Sequence, residues 1–217
     1  MYHAKILLVS LLSFLFGCRP SDKSKVFKIE DGVAYYRDEA IRLSDAKSFG
    51  ALNEHYAKDK NHVWYCDTYR SGQGYFSTKR NRITAIEKAD PTTFRIFQNG
   101  YARDKANIFF EGVFFPVKDI NSFQILDYSF AKDRLSGYYM QAEIPGSDGS
   151  TFAGLDNHYS RDSSHIFYST IGPGGAVTSI SVQHADVASF TLLENRTDSA
   201  DATDKGAVYL KGEKVKK

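Results

Sequence analysis

A short phrase recurs along this chain, and its spacing limits the fold more than any other feature. It reads Tyr56-Ala57-Lys58-Asp59-Lys60, then Tyr101-Ala102-Arg103-Asp104-Lys105, Phe130-Ala131-Lys132-Asp133-Arg134 and Tyr159-Ser160-Arg161-Asp162-Ser163. Weaker copies stand at Phe27-Lys28-Ile29-Glu30-Asp31 and Asp201-Ala202-Thr203-Asp204-Lys205. Anchored on the acidic residues 30, 59, 104, 133, 162 and 204, the steps are 29, 45, 29, 29 and 42. The period is therefore 29, lengthened twice. Self-similarity at a fixed period makes the chain an array of one structural unit, each unit burying its apolar face against a neighbour.

Five and six residues after each anchor comes an apolar pair: Tyr35-Tyr36, Trp64-Tyr65, Phe109-Phe110, Tyr138-Tyr139, Phe167-Tyr168 and Tyr209-Leu210. Val63, Ile108, Ile166 and Val208 precede it, with Ala34 and Gly137 in the other two copies. A β-branched and aromatic run of this kind reads as a strand. A second motif, Asp-x-x-Ser/Thr-Phe-x-x-Leu with small deviations, closes each unit. Its aspartates are Asp45, Asp90, Asp119, Asp148 and Asp186, and its phenylalanines Phe49, Phe94, Phe123, Phe152 and Phe190. Aspartate caps helix starts and Pro91 suits a first helical position, so the motif predicts a helix of one or two turns. Phenylalanine and the residue three further on would share its inner face. The expected fold is mainly β with short helical turns. It is a tandem array of about five to six 29-residue strand-turn-strand-helix units, solenoid-like or a stack of hairpins.

Extra residues fall between the aromatic strand and the closing aspartate. They run from Cys66 to Ile86 and from Ser169 to Val182, with four more between Phe190 and Asp204. Ser71-Gly72-Gln73-Gly74 and Gly172-Pro173-Gly174-Gly175 mark lengthened hairpins or surface loops. Recognition on a rigid scaffold concentrates in such loops. The first carries Tyr69, Arg70, Tyr75, Phe76, Lys79, Arg80 and Arg82. Aromatic and arginine side chains together anchor partner surfaces, which makes these seven the candidate binding residues. The opposing reading is that Tyr75 and Phe76 fold back over the end of a sheet.

The N-terminus supplies an address. Lys5 begins a charged segment, and Ile6 to Phe16 is apolar but too short to span a bilayer. It ends in Leu15-Phe16-Gly17-Cys18, which resembles a bacterial lipoprotein signal. That resemblance implies cleavage before Cys18, lipidation of its sulfur, and outer-membrane sorting in a diderm organism. The expected divisions are a signal peptide over 1–17, a polar tether over 18–25 and a single repeat domain over 26–217.

The net charge of +2 gives no nucleic-acid footprint. With Cys18 committed to the lipid, Cys66 is a lone thiol. No internal disulfide and no cysteine cluster for a metal is then available.

The tyrosine-rich phrase Tyr56 to Tyr65, with Ala89-Asp90-Pro91-Thr92-Thr93-Phe94 after it, resembles the bacterial DKNYY repeat family over about residues 26 to 210. Copies four to six lack the asparagine that follows Asp-Lys in copy two. The resemblance implies exported or surface-associated proteins, and it brings no activity and no catalytic residues.

Each candidate chemistry has a plainer competitor. The anchor aspartates resemble calcium ligands, but lysine and arginine surround them, which favours Asx turns. His55 and His62 flank one anchor as His158 and His165 flank another, yet no third ligand type recurs beside them. The basic residues beside the anchors form rows suited to acidic glycans or, more simply, to solvent. No nucleophile elbow and no His-Glu-x-x-His motif is present. The expectation is a membrane-anchored, non-enzymatic repeat lipoprotein, without cofactor, that binds a protein or glycan in the cell envelope. The alternatives are an envelope hydrolase acting on a cell-wall polymer, or an immunity-type lipoprotein that binds a toxin.

Overall fold

The computed structural model of the chain describes residues 25–70, 79–127 and 129–215. Residues 1–17, Cys18, most of the tether, Tyr75 and Phe76 lie outside these. Among the described residues the chain forms six antiparallel meanders. The first has three strands, β1 (Phe27–Glu30), β2 (Val33–Tyr36) and β3 (Glu39–Ala40). The second contains β4 (Gly50–Ala51), β5 (Tyr56–Lys58), β6 (Val63–Tyr69) and β7 (Arg80–Ala85). The third contains β8 (Arg95–Ile96), β9 (Tyr101–Arg103), β10 (Ile108–Phe110) and β11 (Val113–Phe115). The fourth contains β12 (Gln124–Ile125), β13 (Phe130–Lys132), β14 (Gly137–Tyr139) and β15 (Ala142–Glu143). The fifth contains β16 (Ala153–Gly154), β17 (Tyr159–Arg161), β18 (Ile166–Ile171) and β19 (Val177–Ser181). The sixth contains β20 (Thr191–Thr197), β21 (Ala200–Thr203), β22 (Val208–Leu210) and β23 (Glu213–Val215).

The repeated aromatic pair has a simple cause. Successive side chains on a strand point to opposite faces, so each member of the pair serves a different neighbouring sheet. Val63 and Tyr65 pack with Phe94, Ala102 and Phe109 of the third unit. Trp64 and Cys66 pack with Ala34, Tyr36 and Ile41 of the first. The rule holds through the chain. Phe109 faces the second unit, whereas Ile108 and Phe110 face the fourth. Tyr138 faces the third and Tyr139 the fifth. Five apolar clusters result, each joining two consecutive sheets. Gly137 is the exception that packing requires, because a Cβ there would meet the Phe152 ring at 2.4 Å.

The predicted closing helix is a single turn. Ser48, Thr93, Ser122, Thr151 and Ser189 each donate their amide to the carbonyl of the aspartate three residues earlier. Only Phe94 adds a bond to the fourth residue back, Asp90. The one helical element among the described residues is a 3₁₀ turn at Pro173–Gly175, inside the second insert. A helix nucleus fixes several dihedrals for one hydrogen bond, and here the chain enters a pairing strand immediately afterwards, as at Ala51↔Ala57. The expected shared inner face is lost with the helix. Phe94, Phe152 and Phe190 are buried, and Phe49 and Phe123 half-buried. Of the residues three further on, Phe97 and Leu126 are exposed, Leu193 lies within β20, and Leu52 and Leu155 pack against a different cluster from Phe49 and Phe152. The first copy also departs from the pattern. Glu30 pairs with Val33, and Asp31 and Gly32 form a two-residue turn with φ of 48° and 77°.

Both large inserts are lengthened hairpins. β6 and β7 stay paired from Trp64↔Ala85 to Tyr69↔Arg80, and β18 and β19 from Phe167↔Ser181 to Ile171↔Val177. The four extra residues before Asp204 lie in β20, where the register with β21 shifts between Leu192 and Thr197.

Ser160 breaks the repeat in an informative way. It is fully buried where the equivalent positions hold Ala57, Ala102, Ala131 and Ala202, and its hydroxyl has no partner. A buried unpaired hydroxyl costs about 1–3 kcal/mol. Ser160→Ala is therefore expected to stabilise the protein by about 1 kcal/mol in chemical denaturation, and a loss of stability would count against this reading.

Candidate functional site

The anchor aspartates are densely bonded side chains among the described residues, and their work is structural. Each folds a tight turn through one oxygen. Asp59 Oδ1 accepts from the amides of Asn61 and His62, both at 2.7 Å. Asp104, Asp133, Asp162 and Asp204 accept from their own second and third following amides in the same way. The other oxygen reaches back to the closing turn that leads into the same sheet. Oδ2 of these five carboxylates accepts the amides of Asp45, Asp90, Asp119, Asp148 and Asp186. The Ser/Thr of the closing motif completes the lock. Ser48, Thr93, Ser122, Thr151 and Ser189 accept the amide that follows the anchor. The motif aspartate and its hydroxyl partner thus belong to one interlocked pair of turns.

Three of these carboxylates, Asp104, Asp133 and Asp204, resist protonation. Burial disfavours the charged form of Asp104, Asp133 and Asp204, but hydrogen bonds from amides and neighbouring side chains outweigh it. The pKa of all three falls below the usual carboxylate value, that of Asp204 to about 2. A depressed folded pKa means that the unfolded chain binds more protons at acid pH, so stability rises with pH there. The contribution is fully present above the unfolded value of 3.8 and is lost as pH falls toward about 2. The expected result is a melting temperature that declines below about pH 4 in the wild type. That decline should be shallower in Asp204→Asn, and identical profiles would refute the assignment.

The basic rows also have local partners. Lys58 Nζ donates to the carbonyls of Pro91 and Phe94, and Lys132 Nζ to that of Phe152. Lys60, Arg134 and Lys205 pair with the closing aspartates Asp45, Asp119 and Asp186. The histidines do not converge. His55 contacts the Cys66 carbonyl at 3.0 Å and stacks on Tyr65, and His158 does the same with Ser169 and Tyr168. His62 and His165 sit at the opposite end of the strand, beside Asp59 and Asp162. No group of three or more His, Cys, Asp or Glu among the described residues is placed to hold a metal ion. Cys66 is buried, and burial pushes its thiol up to about 12, which keeps it protonated and inert.

One constellation has the outline of a nucleophile and base. Lys118 Nζ lies 3.0 Å from Ser136 Oγ. Glu143 pairs with the same ammonium and accepts from the same hydroxyl. An ammonium held by a carboxylate offers no lone pair for a proton, and Ser136 is 1% exposed. The cluster ties the closing turn at Asp119 to β14 and β15.

The second-unit hairpin differs from all of this. Tyr69, Arg70, Lys79, Arg80 and Arg82 are exposed. Arg82 is engaged by Asp67 at 3.3 Å and lies over the Tyr65 ring. Arg70, Lys79 and Arg80 have no ion pair or hydrogen-bonded side-chain partner among the described residues. The hairpin overhangs the first unit: Cys66 and Ile83 pack over its core, and Asn81 donates to Asp38 at 3.2 Å. Between the two runs a cleft of about 720 Å³, lined by Arg37, Asp38, Glu39, Tyr69, Lys79 and Arg80 among others. Sequence reasoning missed Arg37, Asp38 and Glu39. Arg37 and Asp38 form the turn after Tyr36 and Glu39 opens β3, and nothing in their local pattern shows that a hairpin from the next unit lies across them. Of the seven residues singled out by sequence, the structure places Tyr69, Lys79 and Arg80 in the cleft and Arg82 beside its own strand partner.

No curated protein and no solved structure matches the chain. The model of the DKNYY family matches residues 27–170, from the start of β1 into β18, and leaves the sixth sheet beyond its end. The match covers well over half of the sequence and takes in the aspartate turns anchored at Asp59, Asp104, Asp133 and Asp162: the chain belongs to the DKNYY family.

Proposed function

We propose that this chain is a lipid-anchored, non-enzymatic repeat protein of the cell envelope, held by Cys18, and that the β6–β7 hairpin presents its binding surface to a protein or glycan. The six sheets stand in an open, solenoid-like stack in this reading. Every apolar cluster joins consecutive sheets only, which supports an open array. Its terminal sheets carry charged groups on their outer faces, as terminal repeats need to. The outer face of the first sheet carries the Lys28–Glu30 pair at 3.0 Å, with Lys28 over the Tyr35 ring. In the sixth unit Asp201 stands where Tyr56, Tyr101, Phe130 and Tyr159 stand in the others, and it is satisfied by Tyr159 and the Lys211 amide.

The observation that carries the binding surface is the hairpin itself. Lys58, Lys60, Lys132, Arg134 and Lys205 are tied to neighbouring turns, whereas here Arg70, Lys79 and Arg80 have no ion-pair partner among the described residues and stand beside an exposed tyrosine. The test is to replace Gln73 to Arg82 with an Asn-Gly turn, with Cys18→Ser as a parallel variant. The expected result is a melting temperature within a few degrees of wild type, with loss of partner capture from native envelope extract. Capture per folded molecule that survives the replacement would refute the surface. Cys18→Ser is expected to move the protein from the membrane to the soluble fraction. Wild-type protein found in the soluble fraction would remove the anchor from the proposal.

A further inference from the structure

We propose that the cleft between the first unit and the β6–β7 hairpin binds an acidic saccharide, a sugar chain bearing carboxylate or phosphate groups. This rests on the reading of the hairpin as a binding surface and names what that surface takes.

The charge of the hairpin supplies the first argument. From Thr68 to Ile86 the sequence contains Arg70, Lys79, Arg80 and Arg82 and not one acidic residue. Of these four cations Asp67 pairs with Arg82, and its other oxygen accepts the Thr68 amide. Arg37 enters from the other wall with its guanidinium over the Tyr36 ring. The cleft therefore holds Arg37, Lys79 and Arg80 from both walls, on two units, against Asp38 and Glu39, and none of the three cations forms an ion pair among the described residues. Two of them are arginines, whose planar donor forks fit carboxylate and phosphate oxygens in pairs. Low local dielectric inside a cleft strengthens attraction for an anion relative to a flat surface.

The remaining lining argues for a sugar rather than a bare ion. Tyr69 is 41% exposed at the mouth, a ring available to stack on a pyranose face. Asp38 and Glu39 share the lining as acceptors for hydroxyl groups, Asp38 with one oxygen already accepting from Asn81, and Thr68 adds a further polar group. Carboxylates in a cationic cleft repel a simple anion but accept from a polyol. The combination of cations, acceptors and one aromatic ring therefore suits a ligand that carries both charge and hydroxyls. The volume of about 720 Å³ accommodates two or three sugar rings. A lipid headgroup shares the anionic chemistry, but a bilayer surface cannot follow a concave site between two units.

The test uses the full chain carrying Cys18→Ser. Short oligogalacturonates serve as the carboxylated probe, neutral galactan oligomers as the control, and vesicles containing phosphatidylglycerol as the lipid arm. Isothermal titration and NMR shifts of the cleft residues are the readouts. Oligogalacturonate is expected to bind and to weaken steeply with salt, with neutral galactan at least tenfold weaker. Lys79→Gln with Arg80→Gln should weaken binding about tenfold or more, and Tyr69→Ala several-fold, at unchanged melting temperature. Binding to the vesicles alone, binding unaffected by these substitutions, or no binding to the saccharide would each overturn the proposal. If the Asn-Gly replacement still abolishes capture from envelope extract in those cases, the hairpin surface stands and only the ligand class fails. If capture also survives, both readings fall.

Discussion

Asp133→Ala is expected to destabilise the protein by about 4 kcal/mol, the largest loss of any single polar substitution. The carboxylate is 1% exposed and accepts from five donors. They are the amides of Lys118, Asp119, Leu135 and Ser136 and the hydroxyl of Tyr138. Alanine removes every acceptor at once and leaves five donors without the carboxylate they were arranged around. Asp133→Asn retains one acceptor oxygen and is expected to cost less. Asp31→Ala, at an exposed turn, should stay within about 0.5 kcal/mol of wild type. Chemical denaturation of the three variants decides the matter, and a loss below about 1 kcal/mol for Asp133→Ala would show that the interlocked turns contribute little. The position matters as much as the residue. Asp133 lies in the fourth of six units, so its loss weakens coupling on both sides of the array rather than fraying an end.

Phe152→Ala is expected to cost about 3–5 kcal/mol. Its ring is 2% exposed, with centroids 5.9 Å from Phe130 and 6.5 Å from Phe167, and it fills the space that Gly137 leaves open. Phe49→Ala, at a half-buried copy near the end of the array, should cost distinctly less. Gly137→Ala should destabilise by about 1–3 kcal/mol through overpacking against the same ring. The two effects share one cavity, so the double variant Gly137→Ala with Phe152→Ala should lose less than the sum of the two single losses. Simple additivity would show that ring and glycine are not the complementary pair described here.

The two substitutions probe different kinds of information in the sequence. The spacing of Asp and Phe and the aromatic pair were legible because a repeat writes the same local requirement many times. Gly137 was visible as an oddity in that pattern, but its reason lay in Phe152, fifteen residues away and folded against it. The closing motif was misread as a helix for a related cause. Aspartate accepting from following amides is the same local chemistry in a helix cap and in an isolated turn. What separates them is whether the next residues pair with a strand, and at Ala51↔Ala57 or Ile125↔Ala131 they do.

The candidate cleft follows the same division. Tyr69, Lys79 and Arg80 stood out in the sequence because they interrupt the period. Arg37, Asp38 and Glu39 did not, because they form an ordinary turn and the start of β3, whose importance comes from the hairpin lying over them. By itself the sequence determined the period, an array of about five to six units, the aromatic strand in each and the sites of insertion, since all of these are set by local period and side-chain type. That each unit is a meander of three or four strands, with its aromatic strand serving two neighbours, was decided by the tertiary structure. Only the tertiary structure decided how one unit engages the next. Tyr56 receives the amide of Gly112, and Tyr159 that of Gly212, across 56 and 53 residues of chain. Contacts of that range depend on the stacking of whole sheets, and no local pattern of residues encodes which turn will lie beneath which ring.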